Sequence, residues 1–175
     1  MYALVNNMLD RETVDAMSDR LDIYVAGMGA VRDSMCPNSQ SFYSPFDDYH
    51  DIVHEKMEKL TKKRLGKTYN YARIYWPGEE LEPHTDREAC EYSVTINLRN
   101  LEEPWDFCLR YENTTQSYLL REGDGVVYNG IHVMHWREPL KTDCVYQAFF
   151  HFVDLDGSYV DHACDQVMRK KNGTK

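Results

Sequence analysis

The chain has 175 residues, 42% of them hydrophobic, which suffices for one well-buried domain and is too little for two. Its formal net charge of -9 disfavours nucleic acid as a partner, because binding a phosphate backbone needs a clustered basic surface. The first 21 residues lack both a positive start and a continuous apolar run, so they predict no signal peptide, no membrane span and a cytoplasmic protein.

The five cysteines are an odd number without a CxxC pair, which argues against a disulfide framework and against a thiolate zinc site. They are expected to be reduced and mostly structural. They are Cys36, Cys90, Cys108, Cys144 and Cys164.

Two amphipathic helices are predicted in the first third of the chain. Asp10 precedes apolar residues at helical spacing, which predicts an N-capped helix of about 10 to 14 residues on the outside of a sheet. Residues 29–46 mix Gly, Pro, Ser and Asn without periodicity and predict a loop. A second helix is predicted within residues 47–65, with Gly66 as its stop signal.

After Gly66 the sequence consists of short runs rich in β-branched and aromatic residues, each ended by turn residues. The runs are YNYARIYW, YSVTINL, WDFCLRY, SYLL, GVVYN and VYQAFFHFV. Their spacing predicts a mainly β sandwich or barrel with two helices in front of it.

The segment LEPHTD places a histidine and an aspartate two residues apart. In an extended strand or at its edge, His84 and Asp86 point to the same side and could bind one ion. A second histidine from a facing strand would complete a two-histidine, one-carboxylate triad, which leaves open positions suited to Fe(II) and oxygen chemistry. The later segment GIHVMHWREP offers His132 and His135.

The order of these motifs resembles that of the 2-oxoglutarate- and Fe(II)-dependent dioxygenases, prolyl 4-hydroxylase branch, over about residues 69–153. The family's Tyr, Gly and EPHxD pattern is matched by Tyr75, Gly78 and residues 82–86. Its later pattern, which is GD, an aromatic residue, Gly, then His and Pro, is matched by Gly123, Asp124, Tyr128, Gly130, His135 and Pro139.

The resemblance implies a double-stranded β-helix, a jelly-roll or cupin-like core of two facing antiparallel sheets, which the strand series fits independently. It implies one dioxygenase domain over residues 1–175. This domain would have a helical part at about 8–66, a β-helix core at about 67–154 and a short C-terminal tail.

The resemblance also implies the metal ligands His84, Asp86 and His135. The family ligand lies shortly before a proline and about five residues after the glycine, which matches His135 better than the competing His132. The implied cofactors are Fe(II), 2-oxoglutarate as cosubstrate and O2, with ascorbate as reductant.

The distal carboxylate of 2-oxoglutarate needs a cation, since a buried unpaired carboxylate is costly. The branch usually has Lys or Arg about ten residues after the last histidine, where this chain has Val145. Arg137 follows His135 by two residues, so it would also point into the barrel and could bind the carboxylate with two hydrogen bonds. Lys141 is the reserve candidate, and an outward, salt-bridged Arg137 is the alternative.

Tyr75 and Asn97 lie where family members often set polar groups near the cosubstrate. The implied reaction hydroxylates an unactivated carbon, most simply in a prolyl or other residue of a peptide or protein, and converts 2-oxoglutarate to succinate and CO2. The segment 29–46 could act as a lid, and so acidic a protein would favour a neutral or basic peptide.

Two other classes of function stay open. A non-catalytic, cupin-like metal-binding protein would share the barrel and the triad, but would lack a basic anchor and would not bind 2-oxoglutarate. A nucleic-acid demethylase of the same superfamily would share the chemistry. It would show a basic face, which the composition does not offer.

Overall fold

The computed structural model describes residues 1–27, 31–33, 35–100 and 103–165, without the side chains of 31–33 and 164. In these ranges the helices are α1 (Arg11–Gly27) and α2 (His50–Thr61), and neither is long and apolar enough to cross a membrane. Short 3-10 helices span Glu88–Cys90 and Val160–Cys164. The strands are β1 (Tyr2–Val5), β2 (Val31–Asp33), β3 (Cys36–Tyr43), β4 (Leu65–Tyr75), β5 (Leu81–His84), β6 (Tyr92–Asn100), β7 (Asp106–Tyr111), β8 (Thr114–Leu119), β9 (Gly125–Tyr128), β10 (Met134–Arg137) and β11 (Val145–Asp154).

The strands of the described residues form two antiparallel sheets. One has seven strands in the order β1-β9-β6-β11-β4-β3-β2, and the other has four in the order β5-β10-β7-β8. The long strand β11 lies between β4 and β6 and pairs with both along most of its length. The predicted mainly β class with flanking helices is therefore confirmed.

The seven-stranded sheet is covered by both helices on one face. On β11, Ala148, Phe150 and Phe152 belong to the apolar core that also contains Met17 of α1 and Met57 of α2. Because side chains alternate along a strand, the intervening residues of β11 point away from the helices.

The opposite face of the same sheet carries polar side chains that are nevertheless buried. They are Ser93, Thr95 and Asn97 of β6 and Gln147 and His151 of β11. Buried polar groups are costly unless they are hydrogen-bonded, so a polar face toward the interior indicates a site.

The four-stranded sheet packs against this polar face through apolar contacts on either side of it. Phe107 of β7 contacts Tyr128 of β9, with ring centroids 5.5 Å apart. Leu81 of β5 shares a second buried cluster with Tyr75 of β4 and Phe149 of β11. The two sheets thus form a cup whose interior is partly polar.

The structure changes the predicted bounds of both helices. Asp10 caps α1 as predicted, since its Oδ1 accepts a hydrogen bond from the Thr13 N–H at 2.8 Å, but α1 is longer, with 17 residues. The stop signal predicted at Gly66 is wrong: α2 ends at Thr61, its C-cap is Lys62 with a φ of 58°, and Gly66 lies within β4. A Cβ at Gly66 would lie 2.8 Å from Leu155 Cδ2 and 2.9 Å from Ala163 Cβ, so the glycine allows the chain to pack closely here.

The loop predicted over residues 29–46 is also wrong, because β3 occupies much of it and pairs with β4. Periodicity missed this strand because its inward positions include serines. Ser39 and Ser41 are buried, and the Ser41 hydroxyl accepts a hydrogen bond from Arg73 Nε at 3.3 Å. Residues 28–30 and 34 lie outside the described residues, so the lid role stays a prediction.

Candidate metal centre

Strands β5 and β10 bring two histidines side by side. His84 and His135 are directly paired across these antiparallel strands, and their ring centroids are 4.2 Å apart. The Nε2 atom of each lies 3.6 Å from Asp86 Oδ1. The candidate ligand atoms of the three residues all lie within 4.8 Å of one another, so the structure brings the predicted triad together.

Backbone carbonyls orient both imidazoles. His84 Nδ1 donates to the Glu82 carbonyl at 2.8 Å, and His135 Nδ1 donates to the Val133 carbonyl at 3.0 Å. A proton on Nδ1 leaves a lone pair on Nε2, the atom that faces Asp86. Metal-binding histidines are held by the same kind of outer hydrogen bond, so the donor set fits a divalent cation.

Asp86 is held in place by the turn that contains Gly130. The Asp86 N–H donates to the Gly130 carbonyl at 2.8 Å. A Cβ on Gly130 would lie 2.6 Å from Asp86 Oδ2 and 2.4 Å from the Cys90 carbonyl oxygen. The glycine of the family pattern is therefore required by the close approach of the carboxylate.

The protonation states of Asp86 and His135 suit metal binding. Burial alone would raise the pKa of Asp86, but the hydrogen bond with His84 and the neighbouring imidazoles lower it below its usual value. Burial lowers the pKa of His135. Burial opposes the charged form of His84 as well, but its hydrogen bond with Asp86 raises the net pKa. An ionised carboxylate and a neutral His135 are the forms that bind a cation.

A pocket of about 240 Å³ opens onto the triad. Its walls are largely aromatic, and they also carry two cations that the sequence analysis did not single out, Arg73 and Arg87. The aromatic lining residues are Tyr43, Tyr69, Tyr71, Tyr75, Phe107, Tyr128 and Phe149. Alternation along β4 could have found Arg73, because Tyr75, already a candidate, lies two residues further on the same face.

Hydroxyl groups hold the Arg73 guanidinium. Its Nη2 donates to the Tyr71 hydroxyl at 2.9 Å, and its Nη1 donates to the Tyr75 hydroxyl at 3.0 Å. The guanidinium carbon lies within 5.3 Å of both ring centroids. Arg73 is therefore a fixed positive group in the pocket wall.

Arg137 is 1% exposed, so the alternative of an outward, salt-bridged arginine is wrong. Its Nη1 donates to the Trp105 and Asp106 carbonyls, and its Nη2 donates to Gln147 Oε1 at 3.1 Å. Among the described residues, Nε has no hydrogen-bond partner. Burial lowers the pKa of Arg137 to about 10, so it is still a cation near neutral pH. Arg137 lies behind Phe107, whose ring centroid is 5.0 Å from the guanidinium carbon and which lines the pocket.

The other predicted residues separate into two groups. Tyr75 lines the pocket, and Asn97 is buried, with its Oδ1 accepting a hydrogen bond from Gln147 Nε2 at 2.7 Å. Lys141, the reserve anchor, is exposed and does not line this pocket. His132 is likewise exposed, so the structure does not place it among the clustered donors.

His151, which the sequence analysis did not select for the site, also lines the pocket. Its Nδ1 lies 2.8 Å from the Ser93 hydroxyl, and its ring centroid is 4.6 Å from that of Tyr69. Together with Asp86 and Cys90 it forms a second group of potential ligands within 4.8 Å of one another.

Neither a known family model nor a curated protein sequence matches the chain. Solved structures do. A prolyl-4-hydroxylase from Pseudomonas putida is 12% identical with a TM-score of 0.68, over 86% of this chain and 91% of that one. The non-heme alpha-ketoglutarate-dependent epimerase SnoN from nogalamycin biosynthesis is 13% identical with a TM-score of 0.74, over 87% and 77%.

A prolyl hydroxylase in complex with a peptide fragment of the hypoxia inducible factor oxygen degradation domain, from Trichoplax adhaerens, is 12% identical with a TM-score of 0.68. The match covers 95% of this chain and 86% of that one. At such identities the likeness concerns the fold. The predicted double-stranded β-helix of the 2-oxoglutarate and Fe(II) oxygenases is confirmed.

Proposed function

We propose that the chain is a 2-oxoglutarate- and Fe(II)-dependent dioxygenase, one domain over residues 1–175, that hydroxylates an unactivated carbon and forms succinate and CO2. The observation that carries this proposal is the triad itself. Two imidazole Nε2 atoms face one oxygen of Asp86 at the wall of a pocket. Three ligands from one side leave further positions open for a cosubstrate and O2.

His84, Asp86 and His135 would hold the iron, which together with 2-oxoglutarate supplies the oxidative chemistry when both are bound. The chain's own residues keep the ligands in position. The carbonyls of Glu82 and Val133 fix the two rings, and aromatic side chains form much of the pocket wall around them.

Arg137 is the proposed anchor for the distal carboxylate of 2-oxoglutarate. Among the described residues its hydrogen-bond acceptors are two backbone carbonyls and an amide oxygen, all neutral, and its Nε has no acceptor, so a carboxylate would complete its hydrogen bonding. Asn97 supports Arg137 indirectly, because its Oδ1 accepts a hydrogen bond from the side-chain amide of Gln147. Tyr75 contributes its hydroxyl to the pocket wall near both arginines.

Arg73 is the competing anchor, because it lies in the pocket wall itself. A non-catalytic, cupin-like protein would lack a buried cation beside the triad, whereas either arginine supplies one. A demethylase of nucleic acids is disfavoured further by the surface. Two of the basic residues after α2 form ion pairs, Lys63 with Asp154 and Arg64 with Asp156.

A peptide or protein segment is the proposed substrate. One of the similar structures is a prolyl hydroxylase with a bound peptide, and the net charge of this chain favours a neutral or basic segment. Tyr43, which is 51% exposed and lines the pocket, offers an aromatic surface at its mouth.

The test is succinate formation from 2-oxoglutarate by purified protein with Fe(II) and ascorbate, first alone and then with proline-containing peptides of matched length and different charge. We expect slow turnover without peptide and faster turnover with a neutral or basic peptide. Absence of succinate together with no binding of 2-oxoglutarate to the Mn(II) form would contradict the dioxygenase. Binding of 2-oxoglutarate with indifference to every peptide would contradict the peptide substrate alone.

A further inference from the structure

The two carboxylate oxygens of Asp86 face different neighbours. Oδ1 faces the two triad histidines, each at 3.6 Å. Oδ2 faces the Ser93 hydroxyl at 3.5 Å, and the same hydroxyl lies 2.8 Å from His151 Nδ1. Ser93 also donates to the carbonyl of Cys90 at 3.1 Å. A second set of donors therefore surrounds the side of Asp86 that the triad does not use.

We propose that Asp86, Cys90 and His151 form a second metal site, which takes Zn²⁺ and shares Asp86 with the proposed iron centre. One atom from each residue can be chosen so that all lie within 4.8 Å of one another. A sulfur, an imidazole nitrogen and a carboxylate oxygen are together the donors that Zn²⁺ prefers.

Outer contacts prepare these donors. Cys90 and His151 are both buried, and the Tyr69 hydroxyl lies 3.0 Å from Cys90 Sγ. Burial raises the pKa of Tyr69, so its hydroxyl keeps its proton and can donate to a thiolate. On binding, the zinc–sulfur bond replaces the S–H bond, and the released proton leaves to solvent. Ser93 gives His151 the outer hydrogen bond typical of a ligating histidine.

The pocket provides the route to this site. Asp86, His151 and Tyr69 all line it, so an ion that enters toward the triad also reaches the second donor set. The three ligands come from the segment after β5, the Glu88–Cys90 turn of 3-10 helix and β11. A site with one cysteine needs no CxxC pair. Because Asp86 is shared, Zn²⁺ at this site weakens the hold of the triad on Fe(II).

The test uses Co²⁺ alone as the probe, without 2-oxoglutarate, on the wild type and on His135→Ala, which removes a triad ligand. We expect a near-ultraviolet thiolate-to-cobalt absorption in both proteins, displaced by Zn²⁺. Cys90→Ser should abolish it. The matched control is Cys108→Ser, since Cys108 is buried on β7 and contacts Ser117 instead; it should keep the absorption.

A second variant guards against a folding defect in Cys90→Ser. His151→Gln retains a polar group toward Ser93 and should weaken Co²⁺ binding to the His135→Ala protein at least about tenfold, with an unchanged circular dichroism spectrum. Absence of the absorption in both parent proteins, or its persistence in Cys90→Ser, would overturn the proposal. Neither result depends on oxygenase activity, so this site and the proposed function can fail separately.

Discussion

Arg137 of β10 donates a hydrogen bond to Gln147 of β11 at 3.1 Å and so places a buried cation between the two sheets. The resembling family usually carries its cation about ten residues after the last histidine, where this chain has Val145 at the start of β11. Arg137 reaches the same strand from β10. This contact with β11 is the reason that Arg137 is the proposed anchor.

Arg137→Met should weaken 2-oxoglutarate binding to the Mn(II) form by about 10- to 100-fold, because a charge-assisted hydrogen bond contributes about 1.5 to 3 kcal/mol. Arg137→Lys should weaken it less, since it keeps the charge but loses the planar pair of donors. Calorimetric titration measures both. Arg110→Met, whose side chain is exposed near the end of β7, should bind normally. Normal binding by Arg137→Met with loss in Arg73→Met would instead assign the anchor to Arg73.

His135→Ala should abolish both Mn(II) binding at the triad and uncoupled succinate formation, because it removes one of three ligands. His132→Ala is the matched control. His132 lies three residues before His135 and is exposed. Its backbone N–H donates a hydrogen bond to the Asn129 side chain. Electron paramagnetic resonance of bound Mn(II) reports the first effect without any turnover. Equal losses in the two variants would contradict the assignment of His135.

Much of the fold follows from short-range patterns. The runs that became β4, β6, β7, β9 and β11 combine β-branched and aromatic residues with clear turn signals. The two-residue spacing of His84 and Asp86 indicates a shared site, although β5 ends at His84 and Asp86 is held by the hydrogen bond of its N–H to the Gly130 carbonyl. The second histidine was selected by its distance from Gly130 and Pro139, a pattern that only the resemblance supplied.

The residues that sequence reasoning missed owe their position to pairing between distant segments. Ser41 of β3 is a suitable inward residue only because Arg73 of β4 lies opposite it. His151 and Asp86 are brought together through Ser93. The spacing of these three residues in the sequence matches no recognisable motif. Polar residues that are buried in this way therefore resemble loop or packing residues in the sequence.

Gly130→Ala should destabilise the fold by about 1 to 3 kcal/mol, because the added methyl group would overlap the Cys90 carbonyl and the Asp86 carboxylate. It should also weaken Mn(II) binding at least about tenfold by displacing Asp86. Urea unfolding and metal titration measure the two effects. Gly27→Ala is the control, since a Cβ there meets nothing within 4 Å; it should change stability by less than about 0.5 kcal/mol.

His50 predicts a specific dependence of stability on pH. Its ring is buried on α2 against Phe150 and Phe152, and burial lowers its pKa from 6.5 to about 3. Between these values the unfolded chain binds a proton that the folded chain does not. The free energy of unfolding should therefore fall as pH falls below 6.5, by about 1.4 kcal/mol per pH unit from this residue. The titratable neighbours acting on it are Lys67, His151, Asp47 and His54.

His50→Phe should remove this contribution while retaining the aromatic contacts. It also removes His50 Nε2, a buried atom without a hydrogen-bond partner among the described residues, so stability at pH 7 should be equal or higher by about 1 kcal/mol. Urea unfolding at pH 7, 6, 5 and 4.5 is measured on wild type, His50→Phe and the exposed control His132→Phe. The effect of His50 is the difference between the slopes of the free energy of unfolding against pH. Parallel curves for wild type and His50→Phe would mean that His50 titrates alike in both states, since only a pKa difference between the folded and unfolded chains changes the slope.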